Sequence, residues 1–327
     1  MYDVISVGSS TVDVFAHVQS ELIKIKTASY QQDLIAYPCG SKILIDGLEF
    51  LPGGGGTNTA VAFSKLGLRA GYLGKVGSDA NSGMILDALK KEKVDFLGVK
   101  EKGISGYSII LDSIEHDRTI LAYKGVNDLF DFDEIKKAKL KTKWFYFSSM
   151  VGKSYESLEK LAVYAKAGNA EIAFNPSNYL ASKGKHYLME VLSRTDLLVL
   201  NKEESMLLVG KGEIATLLSE LSKLGPKRVV ITDGKDGAYT CDERYVYHVI
   251  PPSVDVIETT GAGDAFASTF LAGTIKKKGI VECLQMGCIN SVSVISNRGA
   301  KEGLLSLRSI AQRLLRNPPK IEKKSLN

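Results

Sequence analysis

An alternation of short apolar runs and amphipathic segments through the middle of the chain constrains the fold more than any other feature. Runs typical of buried strands occupy 144–147, 172–174, 197–200 and 229–231, and helical patterns lie at 155–167 and 214–224. Such alternation is typical of parallel strands joined by helical crossovers. The sequence therefore predicts an open, mostly parallel α/β sheet covered by helices on both faces, with ligands at the carboxyl ends of the strands.

Two segments outside this region alternate like antiparallel strands. Residues 43–50 place Leu44, Leu48 and Phe50 on one face, and residues 108–122 resemble two strands joined by a polar turn at 113–117. We therefore predict a small sheet outside the main body, formed by about residues 14–51 and 105–124. Residues 1–327 are expected to form one domain, and residues 317–327, with two prolines and several lysines, a flexible tail.

Composition excludes several classes of protein. The charged fraction of 24% and the hydrophobic fraction of 44% are those of an ordinary globular protein. The net charge of +5 owes much to the tail, so no extended basic stripe indicates nucleic-acid binding. The four cysteines have no zinc-ligand spacing. Without a basic leader or an apolar run of roughly 18 residues, we expect no membrane contact and a cytoplasmic location.

The common nucleotide-binding motifs are missing. Gly152-Lys153-Ser154 ends like a P-loop, but Phe147 occupies the place of the first glycine of that motif. No G-x-G-x-x-G follows Val7 or any other predicted strand, which disfavours a dinucleotide site.

The stretch ETTGAGDAF at 258–266 offers another way to hold a phosphate group. Gly261, Ala262 and Gly263 are small enough for their amides to face an anion at a helix N-terminus. Asp264 follows in the first turn, where its carboxylate could act as a base toward an attacking hydroxyl. Alternatively, Thr260 or Asp264 merely caps the helix after a glycine turn.

A second glycine-rich helix start occurs far upstream, in PGGGGTN at 52–58, which precedes the apolar run AVAF. Four successive glycines lose much conformational entropy on ordering. Their use indicates either a flexible hinge or a close approach of the backbone to a ligand, and a plain linker is the alternative.

Together, GGGGTNTAVAFSKLG at 53–67 and ETTGAGDAF resemble the two signature regions of the ribokinase-like carbohydrate kinases, the phosphofructokinase B family. The resemblance covers nearly the whole chain. It implies a Rossmann-like ribokinase fold with a mostly parallel central sheet and a small β-sheet lid. It also implies transfer of the γ-phosphoryl group of ATP, with Mg²⁺, to a hydroxyl of a sugar or nucleoside. Whether the protein forms a homodimer through the lid is left open.

The resemblance also implies roles for particular residues. Asp264 would be the base, and residues 261–263 would be the anion hole. The residues that would hold the sugar are Asp13, Gly54 and Asn58. Those that would contact nucleotide, phosphate or Mg²⁺ are Asn201, Glu204, Thr232, Gly234, Gly299 and Ala300. Glu204 would act on the metal through water, although Asn201 and Glu204 could equally form a capped, acidic first helical turn.

Three positions depart from the family pattern. Glu258 replaces an aspartate linked to a monovalent-cation site, which leaves potassium dependence open. Gly55 and Thr11 replace a lysine and an asparagine of ribokinases proper, so ribose is not indicated as the substrate.

The leading hypothesis is a kinase of a sugar or sugar derivative. A nucleoside kinase would need an apolar slot for the base, for which Phe15, Tyr37 and Tyr107 are candidates that could equally form lid core. A catalytically idle member that binds sugar or nucleotide is the third alternative.

Overall fold

The computed structural model describes residues 1–17, 21–26, 31–112 and 118–326, with the backbone alone for residues 17, 21–26, 31–36, 112 and 118. The strands are β1 Tyr2–Val7, β2 Thr11–His17, β3 Glu21–Lys26, β4 Gln31–Ala36, β5 Gly47–Gly53, β6 Ala70–Leu73, β7 Lys75–Val76, β8 Asp95–Phe96, β9 Val99–Lys100, β10 Gly106–Asp112, β11 Arg118–Tyr123, β12 Thr142–Phe147, β13 Glu171–Phe174, β14 Leu197–Asn201, β15 Arg228–Thr232, β16 Ala238–Cys241, β17 Tyr245–Ile250 and β18 Lys320–Ser325. The α-helices are α1 Gly55–Lys65, α2 Ala80–Lys91, α3 Lys153–Ala167, α4 Ser177–Ala181, α5 Lys185–Leu192, α6 Lys202–Val209, α7 Ile214–Ser222, α8 Ala262–Ile275, α9 Ile280–Ile295 and α10 Leu307–Arg316.

The main sheet is large and mostly parallel, which confirms the predicted fold class. Its strand order is β18-β17-β16-β15-β14-β13-β12-β1-β6-β8. The pairs from β15 through β8 are parallel, whereas β15 to β18 run antiparallel to one another. The strands at 144–147, 172–174, 197–200 and 229–231 that the sequence predicts form four adjacent parallel members.

Helices cover both faces of this sheet. Successive side chains of a strand point to opposite faces, so Leu198 and Leu200 pack with the helices α3, α5, α6 and α7 on one side. Leu197 and Val199 pack with α1, α8 and α9 on the other. Burial on both faces explains why β14 reads as an unbroken apolar run.

A separate sheet of four strands has the order β11-β10-β2-β5, which confirms the predicted small sheet. β10 and β11 are antiparallel, as predicted, while the turn predicted at 113–117 lies outside the described residues. The strand predicted from residue 43 begins only at Gly47, and Leu44 before it is 78% exposed. Without a packed face, the alternation at 43–46 is not enough to make a strand.

The carboxyl ends of four parallel strands bring polar side chains to one edge of the main sheet. Asn201 at the end of β14 is in register with Thr232 at the end of β15. Ser148 and Asn175 directly follow β12 and β13, whose last residues are also in register. This edge is where the predicted fold class places its ligands.

The expectation of a flexible C-terminal tail is wrong for residues 320–325. β18 pairs with β17 over six residues, Ile321 packs against the core, and the Lys323 ammonium lies 3.5 Å from the centroid of the Tyr245 ring. Without this pairing, β17 would present an unsatisfied edge. The lysines that suggest a solvated tail instead lie on the exposed outer strand, where charge discourages further pairing.

Removing residues 318–327 is therefore expected to destabilise the protein by about 1–3 kcal/mol. Edge hydrogen bonds contribute about 0.5–1.5 kcal/mol each, and the entropy of ordering the strand offsets most of that sum. Urea unfolding of the truncated and full-length chains measures the difference. As a control, Lys324→Ser should keep the full stability, and equal unfolding midpoints for truncated and full-length protein would contradict the assignment of β18.

Among the described residues, no helix is long and apolar enough to cross a membrane.

Candidate active site

Helix α8 begins at a glycine that no other residue can replace without strain. Gly261 is the N-cap and has a left-handed backbone conformation, with φ of 79°. A Cβ at this position would lie 2.5 Å from Ala300 Cβ and 2.7 Å from Ala300 Cα. The turn at the start of α8 therefore packs directly on the backbone of Ala300.

Neither Thr260 nor Asp264 caps helix α8, so the capping alternative is wrong. The N-cap is Gly261, which makes no side-chain cap, and Thr260 Oγ1 is buried without a hydrogen-bond partner among the described residues. The Asp264 carboxylate instead accepts a hydrogen bond of 2.9 Å from Asn58 Nδ2. Its side chain therefore contacts helix α1, not an amide of its own helix.

The amides at the start of α8 are only in part available for an anion. The Ala262 amide donates to the Thr259 carbonyl at 3.3 Å. The first amides of a helix have no partner within it, and a Cβ added at Gly263 would meet nothing within 4 Å. The open side of the helix start thus lies at Gly263 rather than at Ala262.

The four successive glycines form the junction between β5 and α1, so the plain-linker alternative is wrong. Gly54 has φ of 95°, and a Cβ there would lie 2.6 Å from the Ser9 carbonyl oxygen. The Gly56 amide donates to the same oxygen at 3.0 Å. The glycines let this junction lie against the loop that follows β1.

A polar cluster lies between α1, α8 and the small sheet. Asn58 and Asp264 are hydrogen-bonded, and Asp13 on β2 is close enough for its charge to act on Asp264. Asp13 is 8% exposed, and its Oδ1 accepts a hydrogen bond of 2.8 Å from Thr11 Oγ1. The structure therefore brings together Asp13, Asn58 and Asp264, which lie far apart in the sequence.

Lys301 completes this cluster, and sequence reasoning missed it. Its Nζ donates to the Pro52 carbonyl and to Asn58 Oδ1, both at 2.6 Å, and to Thr57 Oγ1 at 3.1 Å. Its position directly after Gly299-Ala300 was the only available signal. Nothing in its spacing indicates a contact with residues some 245 positions away.

A cavity of about 870 Å³ adjoins the cluster at the carboxyl edge of the main sheet. The polar part of its lining includes Asn175, Asn201, Glu204, Thr232, Lys235 and Asp264, together with the backbone at Gly234, Gly261, Ala262 and Gly263. Apolar residues of its lining, here called the apolar wall, include Val249, Pro251, Val254, Phe266, Val292 and Ile295. Such a volume, with both polar and apolar lining, fits an amphipathic small molecule with an anionic end.

Asn201 and Glu204 form a capping box and line the cavity at the same time. Asn201 Oδ1 accepts from the Glu204 amide at 2.7 Å, and Glu204 Oε2 accepts from the Asn201 amide at 2.9 Å. Burial raises the pKa of the Glu204 carboxyl group, although the hydrogen bond from Asn201 opposes that shift. The capped first turn is therefore present, and it does not remove these residues from the site.

Two predicted nucleotide contacts do not line the cavity. Ala300 packs behind Gly261, and the Gly299 amide donates to Glu258 Oε2 at 2.8 Å. Gly299 and Ala300 thus support the turn at the start of α8 from behind.

The sequence at 152–154 has a structural role, as the missing first glycine indicates. Lys153 pairs with Asp131 at 3.0 Å, and Ser154 Oγ donates to the Asn127 carbonyl at 2.6 Å.

Electrostatics single out Asp264 within the site. Burial raises the pKa of its carboxyl group to about 6, although the Asn58 hydrogen bond and the Lys301 charge lower it. A base whose pKa lies near neutrality can take up a proton and remain ionised at physiological pH. The described residues include no group of three or more histidine, cysteine or acidic side chains arranged to hold a metal ion.

A glycine-rich helix N-terminus beside a carboxylate, at the carboxyl edge of a parallel sheet, is an arrangement suited to the class of α/β phosphotransferases. Comparison with known proteins identifies the family. Residues 19–306 match the pfkB family carbohydrate kinase. The chain belongs to this family and is a phosphotransferase with an alcohol group as acceptor.

Individual relatives differ in substrate. An uncharacterized sugar kinase of Archaeoglobus fulgidus is 30% identical over 75% of this chain and 98% of its own length. A 5-dehydro-2-deoxygluconokinase of Clostridium perfringens is 28% identical over 80% of this chain and 82% of its own. The crystal structure of adenosine kinase from Sinorhizobium meliloti superposes with a TM-score of 0.81 at 21% identity, over 95% of this chain and 99% of that one.

Proposed function

We propose that the protein transfers the γ-phosphoryl group of ATP to a hydroxyl group of a sugar or sugar derivative, with Asp264 as the general base. The observation that carries the proposal is the position of Asp264. Asp264 lines the 870 Å³ cavity, and its carboxylate is hydrogen-bonded to Asn58 in the adjoining polar cluster. One carboxylate can therefore face both a phosphoryl donor and an acceptor.

The donor site is assigned to the cavity because its polar and apolar lining residues suit the phosphate and adenine ends of ATP. When bound, ATP supplies the phosphoryl group. The start of α8 at Gly261 and Gly263 would hold phosphate oxygens, since amides and the helix dipole favour an anion there. The apolar wall around Val249 and Val254 would take the adenine, and Thr232 and Gly234 lie on the same cavity.

Mg²⁺ fits the same cavity through Glu204. Mg²⁺ keeps several waters and is bound by few carboxylates, so a protein cage of three acidic groups is not required. Glu204 would hold such a water, while Asn201 fixes its carboxylate through the capping box. The carboxyl oxygens suit a hard cation.

The acceptor site is assigned to the polar cluster. Asp13 and Asn58 would hold hydroxyl groups of the sugar, and Gly54 would contribute by letting the junction of β5 and α1 lie against the loop after β1. Asp264 would accept the proton of the reacting hydroxyl, whose oxygen would bond to the γ-phosphorus of ATP while the bond to the bridging oxygen breaks and ADP leaves. The positioned base is what this chain contributes to the chemical step.

A sugar is favoured over a nucleoside by the aromatic side chains. Phe15 is 4% exposed, and Tyr107 packs against a hydrophobic cluster at α1 and α2. Side chains already packed in this way are less suited to stack on a base. Tyr37 is the remaining candidate for such a slot.

A phosphorylation screen tests the proposal. Purified protein with ATP and Mg²⁺ is offered pentoses, hexoses, sugar acids, sugar phosphates and nucleosides, and ADP release is measured against blanks without acceptor and without protein. We expect release with at least one sugar or sugar derivative. Release with nucleosides alone would favour the nucleoside kinase, and no release above the blanks would indicate an idle binding member.

The pH dependence of the reaction should follow the ionisation of the Asp264 carboxyl group. Since its pKa is raised to about 6, the carboxyl group is protonated below that pH and cannot accept the acceptor proton. We expect kcat/KM to fall tenfold per pH unit below about 6, from rates measured between pH 4.5 and 8.

Glu204→Gln is the matched control for this profile, because burial also raises the pKa of Glu204. The variant should keep the acid limb at the same pH even if its rate is lower. An acid limb that disappears in Glu204→Gln would assign the limb to Glu204 and contradict the role of Asp264.

A further inference from the structure

Lys301 has a coordination that leaves its ammonium no free proton. An ammonium group has three N–H donors and no acceptor. The carbonyl of Pro52, the hydroxyl of Thr57 and Oδ1 of Asn58 take one hydrogen bond each. All three donors of the Lys301 ammonium are therefore used within the protein, and none is left for a ligand.

The contact with Asn58 decides the orientation of that amide. Asn58 Oδ1 accepts from Lys301, and its Nδ2 donates to Asp264 Oδ2 at 2.9 Å. Rotating the amide by half a turn would set its NH₂ group against the ammonium and its oxygen against the carboxylate. Both contacts would then be repulsive, so Lys301 permits only the orientation that holds Asp264.

The charges around Lys301 come from several elements. Asp13 on β2, Asp264 on α8 and the neighbouring Glu302 act on it, and burial nevertheless lowers its pKa to about 8. Asp264 in turn faces Asn58, Lys301 and Asp13, and lies near the buried Tyr146 hydroxyl. A partly buried ammonium is costly, and replacing a whole buried ionic cluster by well-packed apolar residues is often neutral for stability. The need for stability alone therefore does not explain why a lysine lies here.

Lys301 also links the start of α8, where the cavity begins, to the polar cluster at Asn58. It directly follows Gly299 and Ala300, and Ala300 supports the turn at Gly261 where the cavity begins. Through Pro52 it contacts β5, an edge strand of the small sheet. A shift of the start of α8 would thus be transmitted to Asn58 and β5.

We propose that Lys301 is a positioning residue for phosphoryl transfer, which holds Asn58 in one amide orientation and thereby fixes Asp264 as the base. The inference rests on the proposed function. Lys301 does not touch the acceptor; it acts through Asn58 and through its charge.

The first test needs no acceptor. The carboxyl carbon of Asp264 is followed by ¹³C NMR against pH in the wild type and in Lys301→Met, and Asp264→Asn identifies its resonance. Loss of a nearby positive charge should raise the Asp264 midpoint by about one pH unit or more. A midpoint in Lys301→Met equal to that of the wild type would overturn the proposal.

Lys75 provides the matched control. Its ammonium is also buried, with 2% side-chain exposure, but it pairs with Glu101 and Glu134 away from the site. Lys75→Met should lower thermal stability without moving the Asp264 midpoint. If it moves the midpoint as far as Lys301→Met does, the effect is a general response to lost charge, and the proposal fails.

The second test is kinetic. Lys301→Met should lower kcat by roughly tenfold or more, with KM for ATP changed by less than about threefold, because the base and not the nucleotide site is disturbed. Lys301→Ala should regain part of its rate in ammonium chloride and none in tetramethylammonium chloride at equal ionic strength. Wild-type kcat in Lys301→Met would overturn the proposal.

A wild type that phosphorylates nothing refutes the proposed function instead. The NMR titration then still decides whether Lys301 controls the pH midpoint of Asp264.

Discussion

Asp264→Asn is expected to lower kcat by roughly 10² to 10⁴-fold, the usual contribution of a positioned general base. The amide keeps the shape of the carboxylate and can still accept the hydrogen bond from Asn58 Nδ2. Binding of acceptor and ATP should therefore change far less than turnover. Steady-state kinetics on the acceptor found in the screen, with calorimetry for ATP affinity, measure the two effects separately.

The same variant is expected to be more stable than the wild type at neutral pH. Burial raises the pKa of Asp264 from its ordinary value to about 6, so the ionised carboxylate destabilises the folded state above that pH. Removing the charge should stabilise the fold by about 1–2 kcal/mol at pH 7 to 8, after allowance for partial exposure to solvent. The gain should shrink as pH falls through 6 and vanish below about pH 3, where the carboxyl group is protonated in both states.

Asp264→Asn is thus expected to lose turnover and gain stability. Damage to the fold would lower both, so it cannot produce this combination. Wild-type turnover in a folded Asp264→Asn protein would contradict the catalytic role, and a loss of stability at pH 8 would contradict the burial of an unfavourable charge.

Gly261→Ala is expected to damage both fold and activity. A left-handed conformation costs a residue with Cβ about 1–2 kcal/mol, and the overlap with Ala300 adds about 1–3 kcal/mol. Displacing the start of α8 also moves the amides assigned to the phosphate, and loss of one such donor lowers kcat by roughly 10²-fold. Urea unfolding and kinetics below the unfolding temperature measure the two losses.

Gly184→Ala tests a strained helix N-cap that lacks the contact with Ala300. Gly184 has φ of 82° with an extended ψ of 164°, against 79° and −2° at Gly261, and a Cβ there meets nothing within 4 Å. Its substitution should lower stability by about 1–3 kcal/mol through backbone strain and leave turnover unchanged. Equal effects of both substitutions would show that the close packing of Gly261 on Ala300 has no special importance.

Some errors of sequence interpretation have a common physical cause. The lysines at 320–325 suggest a solvated tail, yet the segment is held by backbone hydrogen bonds to β17, which any side chains permit. The capping box of Asn201 and Glu204 and their place in the cavity looked like alternatives, yet one geometry provides both. The local sequence pattern indicates which conformation a segment prefers. Which strand it pairs with, and which side chains it meets at the edge of a sheet, depend on its neighbours in the fold.

The sequence by itself determined the mostly parallel sheet, the small separate sheet and the family, because these depend on hydrophobic period and on short local motifs. It also indicated Asp264 and its glycines, since a helix start that exposes amides needs small residues next to one another. Only the tertiary structure decided which distant side chains meet there. The contacts of Asp264 with Asn58, and of Asn58 with Lys301, join positions more than 200 residues apart. Contacts of that kind follow from the packing of α1, α8 and the loop after α9, and no local periodicity encodes them.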